Sequence, residues 1–298
     1  MTQTDTPLRL LVIGAHPADI FDQSGGAMAH HIQRGDWVGA IVLTHGARVH
    51  DKVITDDMSR RQQVPDAGEL SALMAERAGV KCREAIQACE ILGMKKENLF
   101  FFGADDAVLL PQEGLIRRLA GMIRQLKPHV IITHYPLESG GVASPHAVTG
   151  QITLYALQLA AGVDPGDGHP PHRVAQVFFF GIGAAPVRHH LWGSMGGFTN
   201  DVFIDIADVI EKKLAAIDAI VSQGYSGAYA RKRIETSDGS FGKCVGLPYA
   251  EGFISLRSSA HYYLPLSDLD LERSLLTDHE SIARQSFRID AAEPGPSQ

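Results

Sequence analysis

An α/β fold, in which a mostly parallel sheet carries helices on both faces, is predicted by three observations. Short β-branched and aromatic runs recur along the chain, helical patterns separate them, and the runs are apolar throughout rather than alternating. A strand that is apolar on both sides needs cover on both sides, and alternation of strand and helix supplies it.

The strand signals, in order, are "LRLLVIGA" (8–15), "WVGAIVLT" (37–44), "NLFFFG" (98–103), "HVIITH" (129–134), "VAQVFFFGI" (174–182) and "DVFIDI" (201–206). Each is short, and rich in Val, Ile and Phe, as buried strands are. Between them, residues 67–93, 112–127 and 146–162 carry apolar positions three and four apart, as in "REAIQACEILG" and "LIRRLAGMIRQL", which is the stripe of an amphipathic helix. From about residue 207 the character changes to a helix, "ADVIEKKLAAIDAIVSQG", and then the Gly- and Ser-rich "TSDGSFGKCVG". This region reads as a C-terminal extension of a single domain spanning 1–298, closing over the strand ends or joining a homo-oligomer. The apolar "FFFGIGAAPV" is a second candidate for oligomer contact. The tail "DAAEPGPSQ", from about residue 290, has little to bury and is expected to be mobile.

At 45% apolar and 20% charged residues, the composition is that of a globular protein, without the bias of disordered or fibrous chains. A net charge of −7 argues against nucleic acid as a partner, because such binding relies on a basic face that releases counterions. Cys82, Cys89 and Cys244 form no CxxC pair and read as buried thiols in a reducing compartment. The start "MTQTDTPLRL" lacks the basic and apolar parts of a signal peptide, and no window reaches the ~18 apolar residues of a membrane span. The expected setting is the cytoplasm, away from membranes.

In a parallel sheet the strand C-termini converge on one rim, where open α/β folds bind their ligands. His16 and Asp19 follow the first strand, His45 the second, Asp105 and Asp106 the third and His134 the fourth, while His146 begins the helix after a Gly-rich loop. Two histidines and a carboxylate with an open position suit a catalytic Zn2+, so His16, Asp19 and His146 are the candidate metal ligands. A competing reading makes Asp19 an N-cap for the helix that begins near Ile20, and His146 a polar residue of a first helical turn.

The motifs "AHPAD", "GGAMAHHIQRG" and "IVLTHG", followed by "REAIQACEILG", "FFFGADD", "HVIITH" and "YAEGF", resemble in content and order those of the PIG-L/LmbE-like family, over nearly the whole chain. The resemblance implies a Rossmann-like sheet and one divalent metal, usually zinc, on His16, Asp19 and His146. Two positions depart from the deacetylases of that family. Ala18 stands where they carry the aspartate that activates water, and Ala143-Ser144-Pro145-His146 replaces their H-P-D-H. The alanine is shared with the 4-oxalomesaconate hydratase branch, which reads A-H-S-A-D at this turn and has a Ser-His pair similar to Thr133-His134. Glutamates of that branch after the second strand are replaced by Ala47 and His50, and a histidine near Gly183 is replaced by glycine.

Three candidates for the base follow. His134 comes first for its strand-end position; His45 shares that placement, and His50 with Asp51 could form an oriented pair. Arg83, whose counterpart in the family contacts substrate, and Arg48 could grip a carboxylate, against the alternative of exposed ion pairs. Glu251 could close the pocket, and Asp106 could orient a ligating histidine. The adjacent pairs His30-His31 and His189-His190 are weaker candidates. The sequence thus points to a zinc-dependent enzyme that activates water, a hydratase acting on a small anionic unsaturated oxo-acid from aromatic catabolism. A metal-dependent hydrolase of amide or N-acetyl groups is the alternative, and a metal-retaining binding protein is the third reading.

Overall fold

The computed structural model describes residues 6–63, 65–138, 141–181 and 200–289. Gly183, His189, His190 and the tail from residue 290 lie outside the described residues.

Seven strands form one sheet: β1 (Arg9–Gly14), β2 (Trp37–Thr44), β3 (Leu99–Ala104), β4 (Val130–Thr133), β5 (Gln176–Phe180), β6 (Val202–Asp205) and β7 (Ala250–Ser255). Their spatial order is β3-β2-β1-β4-β5-β7-β6. The first five pair in parallel, whereas β7 runs antiparallel to both β5 and β6. Helices follow the predicted alternation: α1 (Pro17–Gln33), α2 (Lys52–Arg60), α3 (Ala67–Leu92), α4 (Glu113–Leu126), α5 (Pro145–Ala161) and α6 (Ile210–Asp218). Four more complete them: α7 (Ala228–Thr236), α8 (Asp238–Cys244), α9 (Asp268–Ser274) and α10 (Asp278–Gln285).

Successive side chains of β1 divide between two cores, as a two-residue period requires. Leu10 and Val12 pack with Phe21 and Met28 of α1, Leu92 of α3 and Leu214 of α6. Leu11 and Ile13 pack with Leu119 and Ile123 of α4 and Ile152 of α5. The expectation of strands buried on both faces holds for β1 and β2 but not for β3 and β6, which are half-buried at the two sheet edges. The Gly- and Ser-rich stretch after residue 235 is helical, as α8. Cys89 is buried, Cys82 half-buried, and Cys244 exposed rather than buried; all are free thiols. No helix among the described residues is long and apolar enough to cross a membrane.

α1 is two helical pieces. Ser24 leaves helical geometry at φ −148° and ψ 16°, and its hydroxyl bonds the Ile20 carbonyl. The helix restarts at the glycine pair, where the Glu251 carboxylate accepts the N–H groups of Gly26 and Ala27, both at 2.8 Å. A Cβ on Gly26 would fall 2.4 Å from Cγ2 of Ile206, so only glycine lets the helix approach the segment after β6. This arrangement directs the first piece of α1 at the crevice between β1 and β4, where the strand order reverses.

Candidate metal centre

The turn after β1 positions two side chains at once. His16 precedes Pro17, which opens α1 with the fixed φ suited to a first helical residue. Asp19, one turn in, accepts the His16 backbone N–H through Oδ2 at 2.7 Å. The same oxygen lies 3.2 Å from His16 Nδ1 and 3.5 Å from His146 Nε2, and the two ring nitrogens are 3.2 Å apart. The helix starts at Pro17 with His16 as its N-cap, so Asp19 is not the cap of a helix beginning near Ile20; it closes a capping box from the third helical position while its carboxylate joins the cluster.

These three atoms are all electron-pair donors when the histidines are neutral and the aspartate is charged. A metal 2.0–2.1 Å from each ligand in a tetrahedral site separates them by about 3.3 Å. The observed edges of 3.2, 3.2 and 3.5 Å fit such a face, so His16, Asp19 and His146 could together hold a metal ion. The electrostatics suit it. Burial pushes the His16 pKa down, which keeps its ring neutral. Burial raises the Asp19 carboxyl, but the neighbouring His146 and His16 outweigh this and hold it well below the usual range. Burial lowers His146, while Asp19 and Glu138 pull it up to about 10. Without a metal, a proton on His146 balances the two carboxylates. Among the described residues, His16 Nε2 is buried without a hydrogen-bond partner.

The candidate bases differ in what holds their rings. His134, after β4, is buried, stacks on His146 at 4.5 Å between centroids and is pushed down to about 4, first by burial. Its Nε2 accepts the Ala15 N–H at 3.1 Å and lies 3.2 Å from Asp19 Oδ2. His45 Nδ1 likewise accepts the Ala47 N–H, at 3.0 Å. His50 accepts no such backbone bond among the described residues, and its ring centroid lies 3.6 Å from that of His16. Its Nδ1 stands 3.5 Å from Asp106 Oδ2, a loose contact by hydrogen-bond standards.

Asp106 is the organiser of the loop after β2. Its carboxylate accepts the N–H groups of Arg48, Val49 and His50. Burial would raise its pKa, yet His50 and these backbone donors hold it far below the usual range, so it remains charged. The pairing expected of His50 with Asp51 does not form. Asp51 instead caps α2 through the Ile54 N–H and accepts from Arg77 Nε at 3.0 Å.

Two further expectations are corrected. Arg83 is exposed on α3; the residues of that helix that reach the β2 loop and the C-terminal region are Arg77, Lys81 and Glu84, spaced as one helical face. Lys81 is buried, donates to the His50 carbonyl and the Ser222 hydroxyl, and is lowered to about 8 by burial. Glu251 does not close a pocket: it is buried against the restart of α1 and pairs with Lys213 Nζ at 2.8 Å. Arg48 is half-exposed and pairs with Asp105.

Two residues absent from the sequence reading also stand here. Glu138 accepts from His146 Nδ1 at 2.7 Å. Gln223, 205 residues beyond Ala18, accepts the Ala18 N–H through Oε1 at 3.1 Å, at the position where deacetylases of the resembled family carry their aspartate.

A Rossmann-like α/β fold with a His/Asp cluster at its topological switch point is the class this arrangement defines. The family model described as PIG-L, GlcNAc-PI de-N-acetylase, matches residues 11–157, which include all three clustered residues. A 4-oxalmesaconate hydratase from Pseudomonas putida is 26% identical over 222 residues, covering 74% of this chain and 75% of the relative. A 1D-myo-inositol 2-acetamido-2-deoxy-alpha-D-glucopyranoside deacetylase from Kineococcus radiotolerans is 28% identical over 212 residues, 64% of this chain but 56% of that protein's length. Among solved structures, GalB, the 4-carboxy-2-hydroxymuconate hydratase of the same Pseudomonas, superposes with a TM-score of 0.66 at 23% identity, covering 87% of this chain and all (100%) of that one. N,N'-diacetylchitobiose deacetylase from Pyrococcus horikoshii gives 0.65 at 18% identity, covering 88% of each chain. At these identities the superpositions establish the fold.

Proposed function

We propose that this chain is a zinc-dependent hydratase, adding water across the carbon-carbon double bond of a small unsaturated oxo-carboxylate from aromatic-compound catabolism. The observation that carries the reading is His50 against His16: an imidazole that accepts no backbone hydrogen bond among the described residues, beside the ligand cluster and a charged Asp106, where position 18 offers only a methyl group. A metal held by His16, Asp19 and His146 supplies Lewis acidity and lowers the pKa of water. With Nδ1 turned to Asp106, His50 takes the proton of the attacking water at Nε2, and the Asp106 charge steadies the imidazolium. Hydroxyl adds to one alkene carbon, and His50 returns the proton to the other, so atoms balance with nothing released. Arg48, half-exposed on the same loop, is the candidate grip for a substrate carboxylate.

The reading includes a cytoplasmic homo-oligomer that binds neither nucleic acid nor membrane. The charge of −7 and the free cysteines support this, as do the exposed Tyr262, Tyr263 and Leu264, which offer apolar surface for self-association. Hydrolysis of an N-acetyl group is the second reading, favoured by the deacetylase relatives. A single assay separates the two. Zinc-loaded protein given a conjugated oxo-tricarboxylate should bleach its ultraviolet absorbance without releasing acid or amine. Acetate release from N-acetyl sugars, with no bleaching, would replace the hydratase by the hydrolase.

A further inference from the structure

We propose that Glu138 is a positioning residue of the metal centre, holding His146 so that Nε2 is delivered to the ion. The inference rests on the metal-site reading above and on no particular reaction. An imidazole ligand has two torsions to fix, and anchoring the nitrogen that does not bind metal fixes one of them. Glu138 Oε1 accepts from His146 Nδ1 at 2.7 Å, a short charge-assisted contact, while Nε2 of the same ring faces His16 Nδ1 and Asp19 Oδ2 at 3.2 and 3.5 Å. The His134 ring, parallel to within 4°, supports the imidazole from one side. The two ends of the ring thus meet two different carboxylates, one in the cluster and one behind it.

The carboxylate behind the ring is itself held. Glu138 and Gly141 exchange backbone hydrogen bonds in both directions, at 3.2 and 2.8 Å, and Gly141 adopts φ +87°, a conformation suited to glycine. From this position the Glu138 side chain reaches the first turn of α5, where His146 sits. A glutamate placed only to solubilise the loop would have no reason to face a histidine nitrogen. Its charge also makes the ring a stronger electron donor.

The test is zinc affinity of the full-length chain, measured by competition with a chromophoric chelator, for wild type, Glu138→Gln and Glu138→Ala. Glu138→Ala is expected to bind zinc about 10- to 100-fold more weakly. Glu138→Gln, whose amide oxygen can still accept from Nδ1, is expected to fall between it and wild type. The melting temperature of the metal-free proteins, recorded beside the affinities, distinguishes a positioning role from a loss of folding. Equal zinc affinity in all three proteins overturns the inference while leaving the metal site standing. A weakening in Glu138→Ala that is matched by metal-free unfolding, with Glu138→Gln equal to wild type, also overturns it in favour of a structural role. Failure of wild type to take up zinc at all removes the metal reading and this inference with it.

Discussion

The His50 ring lies 3.6 Å, centroid to centroid, from the His16 ring and is tilted by 32° to it. A loop from one strand thereby covers a cluster built on the next, since β2 and β1 are neighbours in the sheet. If His50 moves the proton, His50→Ala should lower kcat by about 100-fold or more, within the range for a positioned acid-base group, with metal content unchanged. Steady-state kinetics with elemental analysis would check this. A His50→Ala enzyme of normal kcat would return attention to His134 or His45.

Metal binding should depend jointly on both sides of the switch-point crevice. Asp19→Ala and His146→Ala are each expected to abolish stoichiometric zinc, because each removes one vertex of a three-ligand face. Loaded protein should also melt higher than stripped protein. A free ligand at 100 times Kd adds about 2.7 kcal/mol of stability. Elemental mass spectrometry on the variants, with thermal melts of wild type before and after chelation, tests both. Either variant retaining full metal would show that its residue lies outside the coordination sphere.

Arg83→Ala should change little. The side chain is exposed, and surface substitutions of this kind stay within about 0.5 kcal/mol of wild type. Lys81→Ala should instead remove the donor to the His50 carbonyl and to Ser222, and lower both melting temperature and kcat. A raised KM in Arg83→Ala with normal stability would restore it as a substrate contact.

That contrast marks where the sequence was legible. Strands β1 to β6 could be read because each is a local apolar run, and the strand-end rule then brought His16, Asp19 and His146 to one rim. β7 was hidden: its six residues, around "YAEGF", acquire strand character by pairing between β5 and β6, a long-range event with no local pattern. The choice between Arg83 and Lys81 is a matter of helical phase, and two residues along α3 turn a side chain by about 200°. Glu138 and Gln223 meet their partners only through folded space, since neither pair lies on a single helix or strand.

Glu251 should prove structural. It accepts two backbone N–H groups at the restart of α1 and is one of two carboxylates on the buried Lys213, so Glu251→Ala leaves both N–H donors unpaired while Asp238 still holds the ammonium. Leaving a buried donor unsatisfied costs about 1–3 kcal/mol. The denaturation midpoint should fall accordingly, with zinc affinity of the folded fraction unchanged. A variant as stable as wild type but with raised KM would return Glu251 to the substrate pocket.

Lys213 also meets Asp238, and this contact gives stability a pH signature. Asp238 Oδ2 lies 2.8 Å from Lys213 Nζ, with Glu251 on the same ammonium and Asp22 of α1 facing the group. Burial raises the Asp238 carboxyl; Lys213 opposes that, the Glu251 charge adds to it, and the result is a pKa pushed up from 3.8 to about 7. A folded-state pKa above the unfolded one means that the fold binds more protons between those two values, so stability falls as pH rises. The contribution of Asp238 is fully present below about pH 4 and is lost as pH passes through about 7. Asp238→Asn is nearly isosteric and carries no charge at any of these pH values. Its stability relative to wild type should therefore improve steadily from pH 4 to pH 7, by on the order of a few kcal/mol, then level off. Urea denaturation of both proteins across that window measures the difference and cancels the titration of groups they share. Parallel stability curves would mean that Asp238 remains ionised throughout and is held by Lys213 alone.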